Sequence, residues 1–272
     1  MNTSMSIDWA LPLNTFKGNI IIMIVLFVFD KLFAPTKARW FSVHAFGNLL
    51  AVISAFYATF CTLSDPAEAM SSLKYNDSSF FGNATPWPII IVNAIHVYHM
   101  VAYDLTSADY FHHLTFALTM GSTGQLYRLG AFRSFLVFWL SGVPGGIDYF
   151  SLVLVKLGKL EPMTQKRNCA AINIWMRGPF LTISGFVIYL NYIYHGHESG
   201  TGYPPVLVAA CISFLCYFNG QYYTKQSVAN HAIAHVLGEV KTRVSLMTGL
   251  QTVDWKKCIS SPKIKEPQNT VS

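Results

Sequence analysis

Long apolar runs recur along this chain of 272 residues, and they constrain its fold more than any other feature. A helix needs about 20 predominantly apolar residues to cross the hydrocarbon core of a bilayer. Only 12% of the residues are charged, about half of the fraction in a soluble domain. The sequence therefore predicts an all-α protein, a polytopic membrane helix bundle of about seven transmembrane helices. The predicted spans are about 18–33, 41–63, 87–104, 110–123, 134–157, 169–194 and 204–223.

These spans divide the chain into three parts. Residues 1–36 form an N-terminal segment and a retained first transmembrane helix, because the first run lacks the basic start and the cleavage site of a signal peptide. Residues 37–230 form the helical bundle, and residues 231–272 form a cytosolic amphipathic segment with a basic tail. The pattern over 226–253 is typical of a helix that lies on a membrane or docks under a bundle.

The distribution of basic residues predicts the orientation. Lys and Arg concentrate in the loops after the first and fifth spans and in the tail, and loops of this kind face the cytosol. The N-terminus is then lumenal and the C-terminus cytosolic. Three glycosylation sequons, at Asn2, Asn76 and Asn83, fall on the lumenal side and agree with this orientation. The turn 124–133 conflicts with it, because two arginines lie on that side.

The net charge of +6 also follows from these flanking residues. It indicates anionic lipid heads as the partner of the basic tail, and not nucleic acid. The five cysteines show neither metal-ligand nor disulfide spacing. His231 and His235 have an i, i+4 spacing that suits a metal, but no third ligand accompanies them. No metal site is predicted, and the sequence assigns no oligomeric state.

Asp148 and Arg177 are ionisable residues inside predicted spans, where charge is costly and often marks function. Each lies about eight residues from the cytosolic end of its span, or roughly 12 Å deep. Two interpretations remain open. The pair forms a buried ion pair that fixes two helices, or the carboxylate is oriented for proton transfer or substrate binding.

Five histidines are predicted to converge on the same leaflet. His96 and His99 share a helix face at i, i+3. His44 and Asn48 share another at i, i+4, and His112-His113 begins the fourth span. One histidine on an apolar helix is usually a packing residue, but five in one leaflet indicate a functional polar chamber that opens to the cytosol. The predicted substrate-binding residues are His44, Asn48, His96, His99 and Arg177.

The stretch FHHLTFALTMGSTGQLYRLGAF, followed by a helix with an intramembrane Asp, resembles the TLC domain. That family groups translocating-chain-associated proteins, longevity-assurance ceramide synthases and related lipid proteins. The resemblance covers about residues 37–230. Its matching features are His112-His113 with Thr115, Arg128-x-Gly130, Asp148, Arg39-Trp40-Phe41 with His44 and Asn48, and Trp175-x-Arg177-Gly178-Pro179.

The resemblance implies roles for three residues. In the ceramide synthases the paired histidines and downstream aspartates belong to the acyl-transfer site. His112 or His113 would then be the catalytic nucleophile or general base, and Asp148 would orient or charge-stabilise a histidine. The acyl chain would lie along the apolar interior, with acyl-CoA as a possible co-substrate. The endoplasmic reticulum is the location that the family implies.

One departure from the family favours a different function. Ceramide synthases carry a His-Asp-x-x-Asp run after the Arg-x-Gly element, whereas this region reads SGVPGGIDYFS with a single Asp. The first hypothesis is therefore a TLC-like protein that binds, moves or regulates lipids, with a lipid or fatty-acyl ligand. An acyltransferase is the alternative. A di-iron or haem oxidoreductase is a third hypothesis. Di-iron hydroxylases need about eight histidines that converge on two irons, and their usual His-x-x-His-His motif is absent from this sequence.

Overall fold

The structure is a computed structural model that describes residues 10–195 and 205–248, with side chains over 15–195 and 205–243. Within these ranges the chain forms helices and no strands, which confirms the all-α prediction for this part of the protein. A 3₁₀ turn, Thr36–Ala38, precedes the second helix. The helices, named α1 to α7, are Ala10–Leu32, Arg39–Ser64, Trp87–Ala102, 107–126, Phe132–Lys156, Pro162–His195 and Val206–Thr248.

Local sequence explains where several of these helices begin. Thr106 and Asp109 form a capping box at the start of α4, in which the Thr106 N–H donates to Asp109 Oδ2 at 2.8 Å. Pro88 and Pro162 lie in the first turns of α3 and α6, where the missing N–H of proline costs nothing.

Three of the helices contain π-helical stretches. These are His113–Gly121 in α4, Phe138–Gly142 in α5 and Asn173–Arg177 in α6. The π-helix is rare and is found mostly as short bulges at functional sites. Each stretch here contains at least one polar residue of the site described below.

Four of the described helices are long and apolar enough to cross a membrane, and they lie in Thr36–Ser64, Phe132–Lys156, Pro162–His195 and Val206–Arg243. Among the residues whose side chains are described, the other three predicted spans do not meet this description. Helix α3 is apolar but has 16 residues, or about 24 Å. Helix α1 carries Lys17, Asp30 and Lys31, and α4 is rich in Thr, Ser, Gly and His.

The distribution of side chains is the one expected of a protein in lipid. Large apolar side chains such as Phe56, Phe60 and Phe186 are more than half exposed, at 68%, 64% and 58%. In contrast, Asn48 and Asn191 are buried. Because lipid solvates apolar groups and cannot satisfy polar ones, polar side chains turn inward in membrane proteins.

Two apolar clusters fill the interior around the polar residues. One is centred on Leu26, Val43 and Ile91, from α1, α2 and α3. The other contains Phe132, Phe135 and Leu181 with residues of α4 and α7. These two clusters pack together the helices that carry the polar residues described in the next subsection.

The long loop 65–86 is attached to the bundle by buried polar side chains. Asn191 accepts the Met70 N–H at 3.0 Å and donates to the Pro66 carbonyl at 2.8 Å. Arg133 donates to the Ala84 carbonyl at 2.9 Å and is only 6% exposed. One of the two arginines of the turn 124–133 is therefore buried and holds a loop inside the protein.

The protein divides into two compact units, Met1–His231 and Ala232–Ser272. The first contains the packed helices and every residue of the site below. In the second, the backbone is helical as far as Thr248. Ile233, Val236, Leu237 and Val240 are exposed there at i, i+3, i+4 and i+7, the spacing of an amphipathic helix.

Candidate functional site

The structure brings together the five histidines of the predicted chamber. They come from α2, α3 and α4, and their rings form a chain of neighbours. Ring centroids lie 5.1 Å apart for His44 and His99, 5.0 Å for His99 and His113, 5.1 Å for His113 and His96, and 5.0 Å for His96 and His112. We call this set of five the histidine cluster.

A hydrogen-bonded relay runs through one side of the cluster. His96 Nδ1 lies 2.7 Å from the Val92 carbonyl and therefore donates to it. With a neutral ring, His96 Nε2 then accepts from His112 Nε2 at 2.9 Å. His112 Nδ1 in turn accepts from the Tyr223 hydroxyl at 2.8 Å. These partners assign one tautomer to each ring and link α3, α4 and α7.

His113 lies at the centre of the cluster and makes no hydrogen bond through its ring. Both of its ring nitrogens are buried without a partner among the described residues, and so is His99 Nε2. A buried polar group without a partner costs about 1–3 kcal/mol. Such groups in a native fold require an explanation, and functional sites are one of the few places where they occur.

The position of His44 and His99 follows from local structure. His44 Nδ1 donates to the Trp40 carbonyl one turn earlier at 2.8 Å, which fixes the ring against α2. The Trp40 ring meets His99 edge-on with a centroid distance of 3.5 Å. The Tyr149 ring of α5 also packs against His44, with a distance of 4.5 Å between the ring centroids.

A second group of polar residues adjoins the cluster. The Ser141 hydroxyl of α5 donates to Asn48 Oδ1 at 2.9 Å. Arg177 Nη1 donates to Asn173 Oδ1 at 3.0 Å, and the guanidinium lies 5.2 Å from the centre of the Tyr223 ring. Tyr223 therefore touches both Arg177 and His112.

Asp148 does not meet Arg177, so the ion-pair interpretation of these two residues was wrong. The carboxylate accepts from Gln165 Nε2 at 2.7 Å and lies beside the Cys169 thiol. Helix α6 begins at Pro162 and not near 169, so Gln165 and Cys169 come level with Asp148. Asp148 makes no hydrogen bond to a histidine either, and its catalytic role stays a prediction.

The carboxylate near the cluster is Asp109, which sequence reasoning missed. It lies one turn before His113 on α4, and its charge also acts on His99. Its i, i+4 spacing from His113 was the available signal. Tyr223 was also missed, because 111 residues separate it from His112 and nothing local points to the contact.

A buried carboxylate near the C-terminal end of α1 does form an ion pair, with Arg39 at the start of α2. Asp30 accepts from Arg39 Nε at 2.9 Å and Nη2 at 2.5 Å. It also accepts from the hydroxyls of Tyr98 at 2.8 Å and Tyr103 at 3.1 Å. With four donors and 2% exposure, this carboxylate is fully satisfied. It joins α1, α2 and α3 and has no group left for a ligand.

The two described sequons differ in their surroundings, and Asn2 lies outside the described residues. Asn76 and Ser78 are exposed. Asn83 accepts from the Asp77 N–H at 3.1 Å, and Thr85 of its sequon is fully buried. The Ser79 N–H also donates to Asp77, which lowers the pKa of that carboxyl and holds the turn.

The described residues contain no group of three or more His, Cys, Asp or Glu side chains arranged to hold a metal ion. In comparisons with known proteins, the chain matches no protein family model, no curated protein and no solved structure. The site must therefore be interpreted from its own chemistry.

Proposed function

We propose that this integral membrane protein binds the polar part of a membrane lipid at the histidine cluster. By doing so it moves the lipid or regulates membrane lipid composition. The observation that carries the proposal is His113, whose two ring nitrogens are buried and without a partner. A ligand with both a donor and an acceptor, such as a hydroxyl or an amide, would satisfy both nitrogens.

The surface of the bundle supports a lipid as that ligand. Exposed aromatic and aliphatic side chains cover the outer faces of the described helices, so the apolar part of the ligand can remain in contact with bilayer or apolar protein surface. Ligand sites of this kind are largely apolar, with a few polar groups that fix orientation. The cluster supplies these polar groups.

The proposal places the site in the cytosolic half of a seven-span, TLC-like bundle. In this arrangement the seven spans are the four long apolar helices together with α1, α3 and α4, which are shorter or more polar. The N-terminus is lumenal and the C-terminus cytosolic, in a membrane of the secretory pathway such as the endoplasmic reticulum. The basic loops and the exposed Asn76 sequon support this orientation.

The test is mass spectrometry of the lipids that co-purify with the full-length protein and with His113→Phe. Phenylalanine keeps a ring of similar size and removes both nitrogens. The matched control is His235→Phe, since His235 is a half-exposed residue of the second unit. We expect a defined lipid in the wild type and the control and its loss from His113→Phe. Equal lipid content in all three would refute the proposal.

An acyltransferase is the second candidate, and the relay favours it. His112 is held by Tyr223 and His96, while His113 has free lone-pair capacity and Asp109 nearby. A neutral ring nitrogen of His113 would attack the acyl-CoA thioester and release CoA thiolate. An amine or hydroxyl acceptor would then attack the acyl carbon, the bond to His113 would break, and the acceptor's proton would pass to the CoA thiolate. The resemblance assigns the carboxylate role to Asp148, whereas proximity favours Asp109.

Acyl transfer is tested with radiolabelled acyl-CoA and purified protein. A covalent acyl group on His112 or His113 would support the enzyme. Asp109→Asn should then slow its formation, and Asp148→Asn distinguishes the role that the resemblance predicts. Absence of an adduct and of acyl-CoA consumption would leave lipid binding as the function.

A further inference from the structure

Arg177 is a half-buried cation with no described carboxylate oxygen within 4.0 Å, although Asp148 also lies in this part of the bundle. Only one of its five N–H donors is used, by Asn173, and its Nε is buried without a partner. Other arginines of the bundle differ. Arg39 pairs with Asp30, and Arg133 donates to two backbone carbonyls. A charged side chain among membrane helices normally pairs with an opposite charge or with carbonyls.

A second unused donor lies close to Arg177. Asn48 is only 2% exposed. Its Oδ1 accepts from Ser141, and its Nδ2 group makes no hydrogen bond to a described residue. A Cβ atom placed on Gly145 would lie 2.8 Å from Asn48 Nδ2 and 3.9 Å from Arg177 Nη2. Two donors from different helices thus both approach Gly145 of α5, and the close approach of Asn48 Nδ2 is possible because this residue has no side chain.

We infer that Asn48 and Arg177 form an anion-binding subsite over Gly145. Its ligand is a carboxylate or phosphate group, since guanidinium N–H groups match the oxygens of these anions in geometry and charge. This inference rests on the proposed function and specifies its ligand. The lipid bound at the histidine cluster carries an anionic head group, such as that of a fatty acid or a phosphatidic acid.

The position of the subsite fits this extension of the histidine cluster. Tyr223 contacts His112 with its hydroxyl and Arg177 with its ring face. A ligand that contacts both Arg177 and the histidines therefore has to extend only past the Tyr223 side chain. Asn173 fixes the Arg177 guanidinium on α6, and Ser141 fixes the Asn48 amide on α2.

The test uses Asn48→Asp in the full-length protein in detergent micelles. Aspartate has the same shape and keeps an acceptor for Ser141. It also gives Arg177 an internal carboxylate and repels an incoming anion. Asn230→Asp is the matched control, because Asn230 is exposed and accepts from Lys166 at 2.9 Å. Equilibrium binding is measured for oleate, for oleyl alcohol as its neutral analogue, and for inorganic phosphate.

We expect Asn48→Asp to weaken oleate binding more than about tenfold, with oleyl alcohol changed less than about twofold and Asn230→Asp unchanged. Phosphate that binds alone and is lost in the same variant would identify a free anion as the ligand. If oleate and oleyl alcohol bind equally and Asn48→Asp changes neither, the subsite is refuted while lipid binding stands. If neither lipid binds, both proposals fail.

Should Asn48→Asp not fold, judged by size-exclusion chromatography, Gly145→Ala decides. Its Cβ would lie 2.8 Å from Asn48 Nδ2, so the amide must shift and the pairing of the two donors is lost. Unchanged oleate binding in this variant would overturn the subsite.

Discussion

Replacing Asp30 by Asn should destabilise the bundle by an amount that the surrounding hydrogen bonds define. The carboxylate accepts four, two of them from Arg39 and two from the hydroxyls of Tyr98 and Tyr103. Removing one partner of a buried ion pair costs about 3–5 kcal/mol. The Arg39 side chain is 35% exposed and can be partly solvated, so we expect a value near the lower limit, about 3 kcal/mol.

The measurement is the free energy of unfolding in mixed micelles titrated with sodium dodecyl sulfate and followed by circular dichroism. Arg39→Gln should cost at least as much as Asp30→Asn, because it leaves a buried carboxylate with two tyrosine donors and no cation, whereas Asp30→Asn leaves a partly solvated guanidinium. The double variant should cost less than the sum of the two single variants, since neither charge remains unpaired. This double-mutant cycle isolates the ion pair from the tyrosine contacts.

A different result would refute the reasoning. If the free energy of unfolding of Asp30→Asn lies within about 0.5 kcal/mol of the wild-type value, the four donors do not converge on this carboxylate in the folded protein. Strict additivity in the cycle would show that Asp30 and Arg39 act independently.

Three further predictions concern the loop 65–86 and its attachments. Asn76→Gln should abolish one glycan-dependent gel shift in eukaryotic expression while Asn83→Gln leaves mobility unchanged, because Asn76 is exposed and the Asn83 sequon ends in a buried Thr; two equal shifts would contradict the packing of this loop. Asn191→Leu should leave the buried Met70 N–H and the part-buried Pro66 carbonyl unpaired, cost about 1–3 kcal/mol and speed proteolysis within the loop, whereas equal cleavage rates would show that the contacts carry no stability. Gly130→Ala should lower the thermal stability, because its φ is +50° and a Cβ would lie 2.6 Å from the Ala69 carbonyl oxygen; an unchanged melting temperature would exclude that conformation.

The helical architecture could be predicted from sequence because backbone polar groups in lipid must be satisfied within each segment. Apolar length therefore marks helices, and Pro88 lies in the first turn of α3 as expected. Length and apolarity did not decide which helices cross fully. Asp30 shows why, since its charge counts against a span although its four donors satisfy it inside the bundle.

The candidate site was predictable only where spacing along one helix determines the outcome. His96 and His99 share a face at i, i+3, and the structure places both in the cluster. Contacts between helices depend on where each helix begins and how it packs. The start of α6 at Pro162 redirects Asp148 to Gln165, and Tyr223 reaches His112 from a distant helix. No periodicity in the sequence encodes these choices.

The π-helical stretches make the site unusually sensitive to chain length. A π stretch accommodates a residue that regular α-helical hydrogen bonding would not, and each residue of an α-helix advances the side-chain direction by about 100°. A one-residue deletion within Asn173–Arg177 could be absorbed by closing the helix to the α pattern, with the residues beyond it kept in register. The same deletion in the regular part of α6 would rotate every following side chain. Insertions and deletions should therefore separate the orientation of Arg177 from the stability of the helix that carries it.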